Sequence, residues 1–179
     1  MIISITGTPG VGKTTIAKAL GKVLGYKVVS DFELAKKNKL ILGYDNKMRS
    51  YIVNEKFFRK IRLKGDFIVH GHLSHLIPND LTIVLRLDPK ELEKRLKRRK
   101  WKKEKIKENV LAEILDVVYA DVLNAKKNKI VKKIFQIDTT GKSIKDVVKR
   151  ILNIIKGREY KSENVDWIEK YFEKEEMFI

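Results

Sequence analysis

Apolar residues follow two rhythms along this chain, and the rhythms alternate. Met1-Ile2-Ile3-Ser4-Ile5-Thr6 is a short apolar run of strand type, whereas Ile16, Ala17, Leu20, Val23 and Leu24 recur at helical spacing between Lys13 and Leu24. Gly25 ends that helix and Lys27-Val28-Val29-Ser30 reads as a second strand. Asp31 to Lys39 predicts a short helix, Gly43-Tyr44-Asp45-Asn46 a turn cluster, and Asn54 to Leu63 a further helix that stops before Lys64-Gly65. Asp66-Phe67-Ile68-Val69-His70 is the third strand, and Leu81 to Leu87 the fourth and most apolar. Pro89 stands at the first position of a helix with Asp88 as its N-cap. A long helix from about Ile106 to Ala125 carries Val110, Ile114, Val117, Val118 and Val122. Ile134-Phe135-Gln136-Ile137 is the fifth strand, and Ser143 caps a helix running through Lys156. The alternation predicts an α/β fold, a five-stranded parallel sheet with helices on both faces.

After Gly157 the chain changes character. Residues 159–176 hold seven acidic and three basic side chains, against a basic body. Ser162 is placed to cap a helix in which Val165, Ile168 and Phe172 share a stripe flanked by Trp167 and Tyr171. The division is therefore a domain over residues 1–157 and an acidic tail over 158–179. The tail either packs on the domain as a last helix or acts as an acidic, aromatic arm for the basic surface or a partner.

Composition narrows the class. The 179 residues, 43% of them apolar, suffice for one domain with a substantial core. No stretch approaches the ~18 apolar residues of a membrane span, and no basic leader precedes a cleavage site. The chain has no cysteine, which excludes disulfides and thiolate metal sites and fits a reducing cytoplasm. The net charge is +17, most of it lysine. That excess suits a solvated or heat-adapted surface and also an electrostatic footprint for nucleic acid or ribonucleoprotein.

The chemistry is concentrated after the first strand. Gly7-Thr8-Pro9-Gly10-Val11-Gly12-Lys13-Thr14 matches G-x-x-x-x-G-K-[ST] between a strand and a helix, the P-loop that cradles phosphates. Its backbone amides and the helix N-terminus face one anion, Lys13 reaches the β- and γ-phosphates, and the Thr14 hydroxyl ligates Mg²⁺. A nucleoside triphosphate is the predicted ligand.

At the end of the third strand, where many P-loop proteins carry a Mg²⁺-holding aspartate, stands His70-Gly71-His72-Leu73-Ser74-His75. H-x-H-x-x-H can be read as a zinc site. Lacking cysteine or an adjacent carboxylate, the motif reads better with His72 as a catalytic polar group facing the γ-phosphate or the attacking water, and His75 as structural or on a helix flank. Ten of the fourteen residues from Lys94 to Lys107 are basic. Within them Arg99 is the candidate cation for the moving phosphoryl group, and Trp101 for stacking on a nucleobase.

These features together resemble the adenylate-kinase-like NTPases that include adenylate kinase isoenzyme six, also called the coilin-interacting nuclear ATPase, and their archaeal relatives. The resemblance spans Ile3 to about Lys156. It rests on the P-loop through Thr15, Leu34-Ala35-Lys36, Gly43-Tyr44-Asp45, Gly71-His72, Val84-Leu85-Arg86, and Arg95-Leu96 with Arg99 to Asn109. It implies a nucleoside monophosphate kinase-like P-loop fold with strands ordered 2-3-1-4-5. It also implies Mg-ATP-dependent phosphorylation of AMP or other monophosphates, a slow ATPase, and a role in small-subunit maturation with a ribosomal protein of the S-eleven family and rRNA.

On this resemblance Gly10, Gly12, Lys13, Thr14 and Thr15 hold ATP. Residues 30–53 form the monophosphate-binding region with Lys36, Gly43, Tyr44 and Asp45. Residues 98–108 form a lid that brings Arg99 to ATP, and Lys142 falls on the adenine side. One position departs from the family: its D-x-H has His70 in place of the aspartate. Mg²⁺ then leans on Thr14 and waters, or on another acid such as Asp31 or Glu33, and activity is expected to survive at a modest level. Oligomeric state and acceptor base stay open.

Overall fold

In the computed structural model, which describes residues 1–46, 50–159 and 161–172 with the Phe172 side chain left aside, the most apolar segments gather at the centre of one sheet. β1 (Ile2–Thr6) is buried at all five residues and lies between β5 (Phe67–His70) and β6 (Asn79–Arg86), parallel to both. β2 (Lys27–Ser30) and β7 (Val131–Asp138) form the edges, so the sheet order is β2-β5-β1-β6-β7. This is the expected 2-3-1-4-5 arrangement once a separate two-stranded hairpin, β3 (Ile41–Asp45) and β4 (Ser50–Val53), is counted in the chain.

Alternation along β1 splits the core between two faces. Ile3 and Ile5 join the larger cluster with Ile16, Ala17 and Leu20 of α1 (Lys13–Leu24) and Val147, Val148, Ile151 and Ile154 of α6 (Ile144–Ile155). α3 (Pro89–Arg98) and α4 (Lys103–Ile114) complete that cluster through Leu92, Leu96, Ile106, Val110 and Ile114. On the other face Ile2 meets Leu34 and Ala35 of α2 (Asp31–Lys37), along with Phe58, Val69 and Ile77. Asp88 and Ser143 cap α3 and α6, with Pro89 at the start of α3.

Four elements differ from the sequence expectation. Gly43-Tyr44-Asp45 lies on strand β3, because Tyr44 and Asp45 pair with Tyr51 and Ser50 across the hairpin. The expected helix from Asn54 to Leu63 is a six-residue 3₁₀ segment, Glu55–Lys60. The single long helix breaks into α4 and α5 (Val117–Lys127) at Asp116, which takes a left-handed φ of 56°. Its carboxylate is there drawn onto the buried Arg86 guanidinium, a local contact that helical periodicity does not register.

In the tail, Trp167 and Tyr171 of α7 (Trp167–Phe172) are buried with Val165, which precedes the helix, and Ile168 is exposed, so the expected stripe is rotated; the Phe172 side chain lies outside the described residues. The Asp166 side chain accepts the Glu169 amide at 3.0 Å in the first turn of α7, while the Ser162 hydroxyl instead accepts the Gln136 amide at 2.7 Å. The described part of the tail, residues 161–171, runs along the edge of β7 and packs on the domain through Trp167, Lys170 and Tyr171.

Candidate active site

Parallel pairing places the carboxyl ends of the strands side by side. Ile5 stands opposite His70 on β5, and His70 opposite Ser30 on β2. The P-loop, the start of α2 and the histidine loop therefore meet at one edge of the sheet, where ligands bind in open α/β folds.

The loop geometry depends on close backbone approach. A Cβ on Gly7 would sit 2.4 Å from the Leu85 carbonyl oxygen, and Gly7 adopts φ 137°. α2, α3 and α6 each begin under a capping side chain, whereas α1 begins at Gly12 with no side-chain cap and no acid in its first turn. Its free amides are left for an anion. Gly10 and Gly12 line this loop, Lys13 is half-buried, and Thr14 and Thr15 are exposed at the helix start.

The Lys13 ammonium donates to the carbonyls of Gly7 at 2.7 Å and Thr8 at 3.0 Å. Burial pushes its pKa down to about 8. The Asp31 and Glu113 carboxylates oppose that fall, and the Arg99 guanidinium adds to it.

The histidines take three different places. His70 lies with Nδ1 3.4 Å from the Thr14 hydroxyl, so it packs on the start of α1. Burial and the fields of Lys13 and Lys18 lower its pKa, against Asp31 and Glu33. His72 is exposed and its carbonyl accepts the Thr6 hydroxyl at 3.1 Å, which fixes the loop to β1. Desolvation and Lys13 lower its pKa, against Asp31, Glu55 and Asp121, which favours the neutral imidazole. His75 points inward, 2% exposed, with Nδ1 3.3 Å from the Thr6 hydroxyl. Among the described residues no three His, Asp or Glu side chains group to hold a metal.

Asp31, at the start of α2, is an acid whose field acts on Lys13, His70 and His72. Its carboxylate accepts the amides of Phe32 and Leu73, both at 2.8 Å, and a Cβ on Gly71 would fall 2.0 Å from it. Gly71, at φ 147°, therefore lets the acid of α2 close on the histidine loop. Glu33 is engaged elsewhere, in a reciprocal capping box with Ser30. The donor set of one threonine hydroxyl and one nearby carboxylate fits Mg²⁺ that arrives with phosphate and water ligands, the usual mode for that ion. Thr14 would ligate it directly.

The remaining expected residues surround this centre unevenly. Arg99 ends α3 and lines a shallow cavity of about 350 Å³ with Arg95 and Arg98. Trp101 is half-buried against the main core with Lys105 over its ring, so its ring is occupied in packing. Lys36 is exposed on α2, while Gly43, Tyr44 and Asp45 lie on the hairpin, where the Tyr44 ring meets Tyr51 at 5.0 Å and Tyr51 meets Phe32 at 4.9 Å. Lys142 is paired with Glu163 of the tail at 2.9 Å.

Sequence reasoning missed Glu113. Its carboxylate is 2% exposed and accepts the Thr8 hydroxyl of the P-loop, Arg86 Nε at 2.8 Å, the Leu87 amide at 3.2 Å and the Trp167 indole N–H at 3.3 Å. A signal was present: Glu113 falls seven residues after Ile106 on the buried stripe of α4, a carboxylate at an apolar position.

The AAA domain family matches residues 3–116. A protein of Methanocaldococcus jannaschii named "Putative adenylate kinase" is 42% identical over 178 residues, covering 97% of this chain and 96% of that protein. A Pyrococcus furiosus protein of the same name is 43% identical over 180 residues, covering 97% and 94%. A shikimate kinase structure from Acinetobacter baumannii shares the fold with a TM-score of 0.55 at 16% identity, over 89% of this chain and 95% of that one. The chain, with its P-loop at the end of β1, thus belongs to the AAA domain family and to the same family as these archaeal proteins.

Proposed function

We propose that this chain is a Mg-ATP-dependent nucleoside monophosphate kinase that converts ATP and AMP to two ADP, accepts related monophosphates, and hydrolyses ATP slowly when no acceptor is bound. The observation that carries this reading is the P-loop at the end of β1, where Lys13 donates to the Gly7 and Thr8 carbonyls beside the uncapped start of α1, in the field of Asp31, Glu113 and Arg99. The names of the archaeal relatives support it.

Gly10, Gly12, Thr14 and Thr15 would hold the ATP phosphates with Lys13, and Arg99 would spread positive charge over the phosphoryl oxygens in transfer. Mg²⁺, when bound with ATP, neutralises phosphate charge. His72 would donate its ring N–H to the attacking phosphate oxygen of the acceptor, or accept a hydrogen bond from an attacking water. The acceptor would enter between α2 and the hairpin, near Lys36, Gly43, Tyr44 and Asp45. Lys142, held by Glu163, would reach the adenine side only after release from the tail. No helix of the described residues is long and apolar enough to cross a membrane, and a cytoplasmic site of action fits the cysteine-free composition.

A second reading, assembly work in small-subunit maturation as in the coilin-interacting branch, draws on the +17 charge. It also draws on a second cavity of about 440 Å³ lined by Arg59, Lys60, Arg62 and Lys129. It would add an S-eleven-type ribosomal protein and rRNA as partners.

The deciding experiment incubates the protein and its Lys13→Ala variant with ATP and AMP, CMP or dAMP. Acceptor-dependent diphosphate, lost in the variant, is expected. Hydrolysis of ATP with no acceptor phosphorylated in the whole panel defeats the kinase reading.

A further inference from the structure

Glu113 stands at a junction that the phosphate chemistry above does not use. One carboxylate oxygen accepts the Thr8 hydroxyl, and the other accepts Arg86 Nε, the Leu87 amide and the indole N–H of Trp167. The Thr8 carbonyl in turn receives the Lys13 ammonium at 3.0 Å. Thr8, Arg86 and Glu113 are each 2% exposed or less, and Trp167 7%, so water does not compete for these bonds. An unbroken path of contacts thus joins the C-terminal segment to the P-loop lysine.

The segment that supplies Trp167 is anchored at several points. Ser162 accepts the Gln136 amide, and the Glu163 carboxylate receives the Asp138 amide on the open edge of β7. Tyr171 donates its hydroxyl to Asp88 at 2.8 Å and Lys170 reaches the same carboxylate at 2.7 Å. Asp88 is also the N-cap of α3, the helix that ends in Arg99. The tail therefore grips β7, the residue Asp88 after β6, and the helix that leads to Arg99.

We propose that Glu113 is a positioning residue for the P-loop, and that the segment from Ser162 to Tyr171 is through it a working part of the triphosphate site. Thr8 is held by its hydroxyl so that its carbonyl and the following amides keep the curvature that an anion requires. Docking of Trp167 occupies the other carboxylate oxygen and fixes the rotamer from which Glu113 can reach Thr8. This inference rests on the reading of the P-loop as a triphosphate site.

The test uses the full chain and variants that remove single polar groups: Thr8→Val, Thr8→Ser, Trp167→Phe, and the Thr8→Val/Trp167→Phe pair. ATP affinity is read by calorimetry and folding by circular dichroism. Thr8→Val is expected to weaken ATP binding about tenfold, the scale of one hydrogen bond to a charged group. Thr8→Ser restores the hydroxyl and the affinity. Trp167→Phe, which keeps an aromatic side chain but lacks the indole N–H, is expected to weaken binding about threefold. The double variant is no weaker than Thr8→Val alone, because both act along one path.

Binding within twofold of wild type in Thr8→Val, while Lys13→Ala has lost ATP, overturns the proposal and leaves the P-loop reading intact. So does a loss in Thr8→Val that Thr8→Ser fails to rescue. A wild-type protein that does not bind ATP overturns both.

Discussion

Arg86 on β6 donates its Nε to Glu113 on α4 at 2.8 Å, with both side chains 2% exposed. The same guanidinium bonds Gln136 at 2.6 Å, the Glu113 carbonyl at 3.0 Å and the carboxylate of Asp116. One buried cation thus joins the sheet to the helix after the basic segment and sets the break between α4 and α5.

Removing that cation leaves a buried carboxylate without its counter-charge. Arg86→Met is expected to lower unfolding free energy by about 3–5 kcal/mol, the usual result of breaking one side of a buried pair. Urea denaturation measures it. A change under about 1 kcal/mol would mean that the pair is relaxed or hydrated in solution.

His70 occupies the position where related P-loop proteins are expected to carry an acid, 3.4 Å from the Thr14 hydroxyl. His70→Asp puts a carboxylate beside the proposed Mg²⁺ ligand and is expected to tighten the Mg²⁺ dependence of ATP turnover by about tenfold. Chelation of Mg²⁺ abolishes turnover in both proteins. A Mg²⁺ titration in which the two curves overlay would remove His70 from the metal's neighbourhood.

His75 gives an acid-stability signature. Burial, with a further push from His72, lowers its pKa to about 4, against a hydrogen bond to the His72 backbone that raises it. The unfolded chain takes the proton first, so this contribution to stability is complete above pH 6.5 and drains away as pH falls toward 4. The amount is about 3 kcal/mol. His70 and His72 are lowered too and steepen the same slope. His75→Gln, followed by thermal melts from pH 7 to 4.5, is expected to flatten the slope measurably; an unchanged slope assigns it to other groups.

Tyr171 and Lys170 both bond Asp88, at 2.8 and 2.7 Å. Tyr171→Phe removes one charge-assisted bond and is expected to cost about 1.5–3 kcal/mol of tail docking. Limited proteolysis should then cut between Gly157 and Trp167 faster than in the wild type, while the domain core persists. Equal cutting rates would show that the bond contributes nothing to docking.

The parallel sheet and the P-loop were legible because each has a short-range signature: apolar runs for strands, helical spacing for α1, and a contiguous glycine motif. The hairpin was hidden because Gly43-Tyr44-Asp45-Asn46 carries turn composition, while Tyr44 and Asp45 find partners across a segment that no local pattern marks. The break at Asp116 and the rotated face of α7 follow from contacts with Arg86 and Glu113, 30 and 54 residues away. For the candidate site, the placement of Lys13 and Thr14 at the start of α1 was readable from their motif, and Asp31 was named only as one of two candidate acids. Asp31 closes on the histidine loop because Gly71 leaves it space, while Glu33 is engaged by Ser30.

The most direct measurement of the central claim follows the γ-phosphate itself. With ATP labelled at the γ-position, Mg²⁺ and AMP in a single turnover, label is predicted to appear in ADP formed from AMP, and Lys13→Ala to form none. Label released only as inorganic phosphate, with AMP unconsumed, would contradict the account.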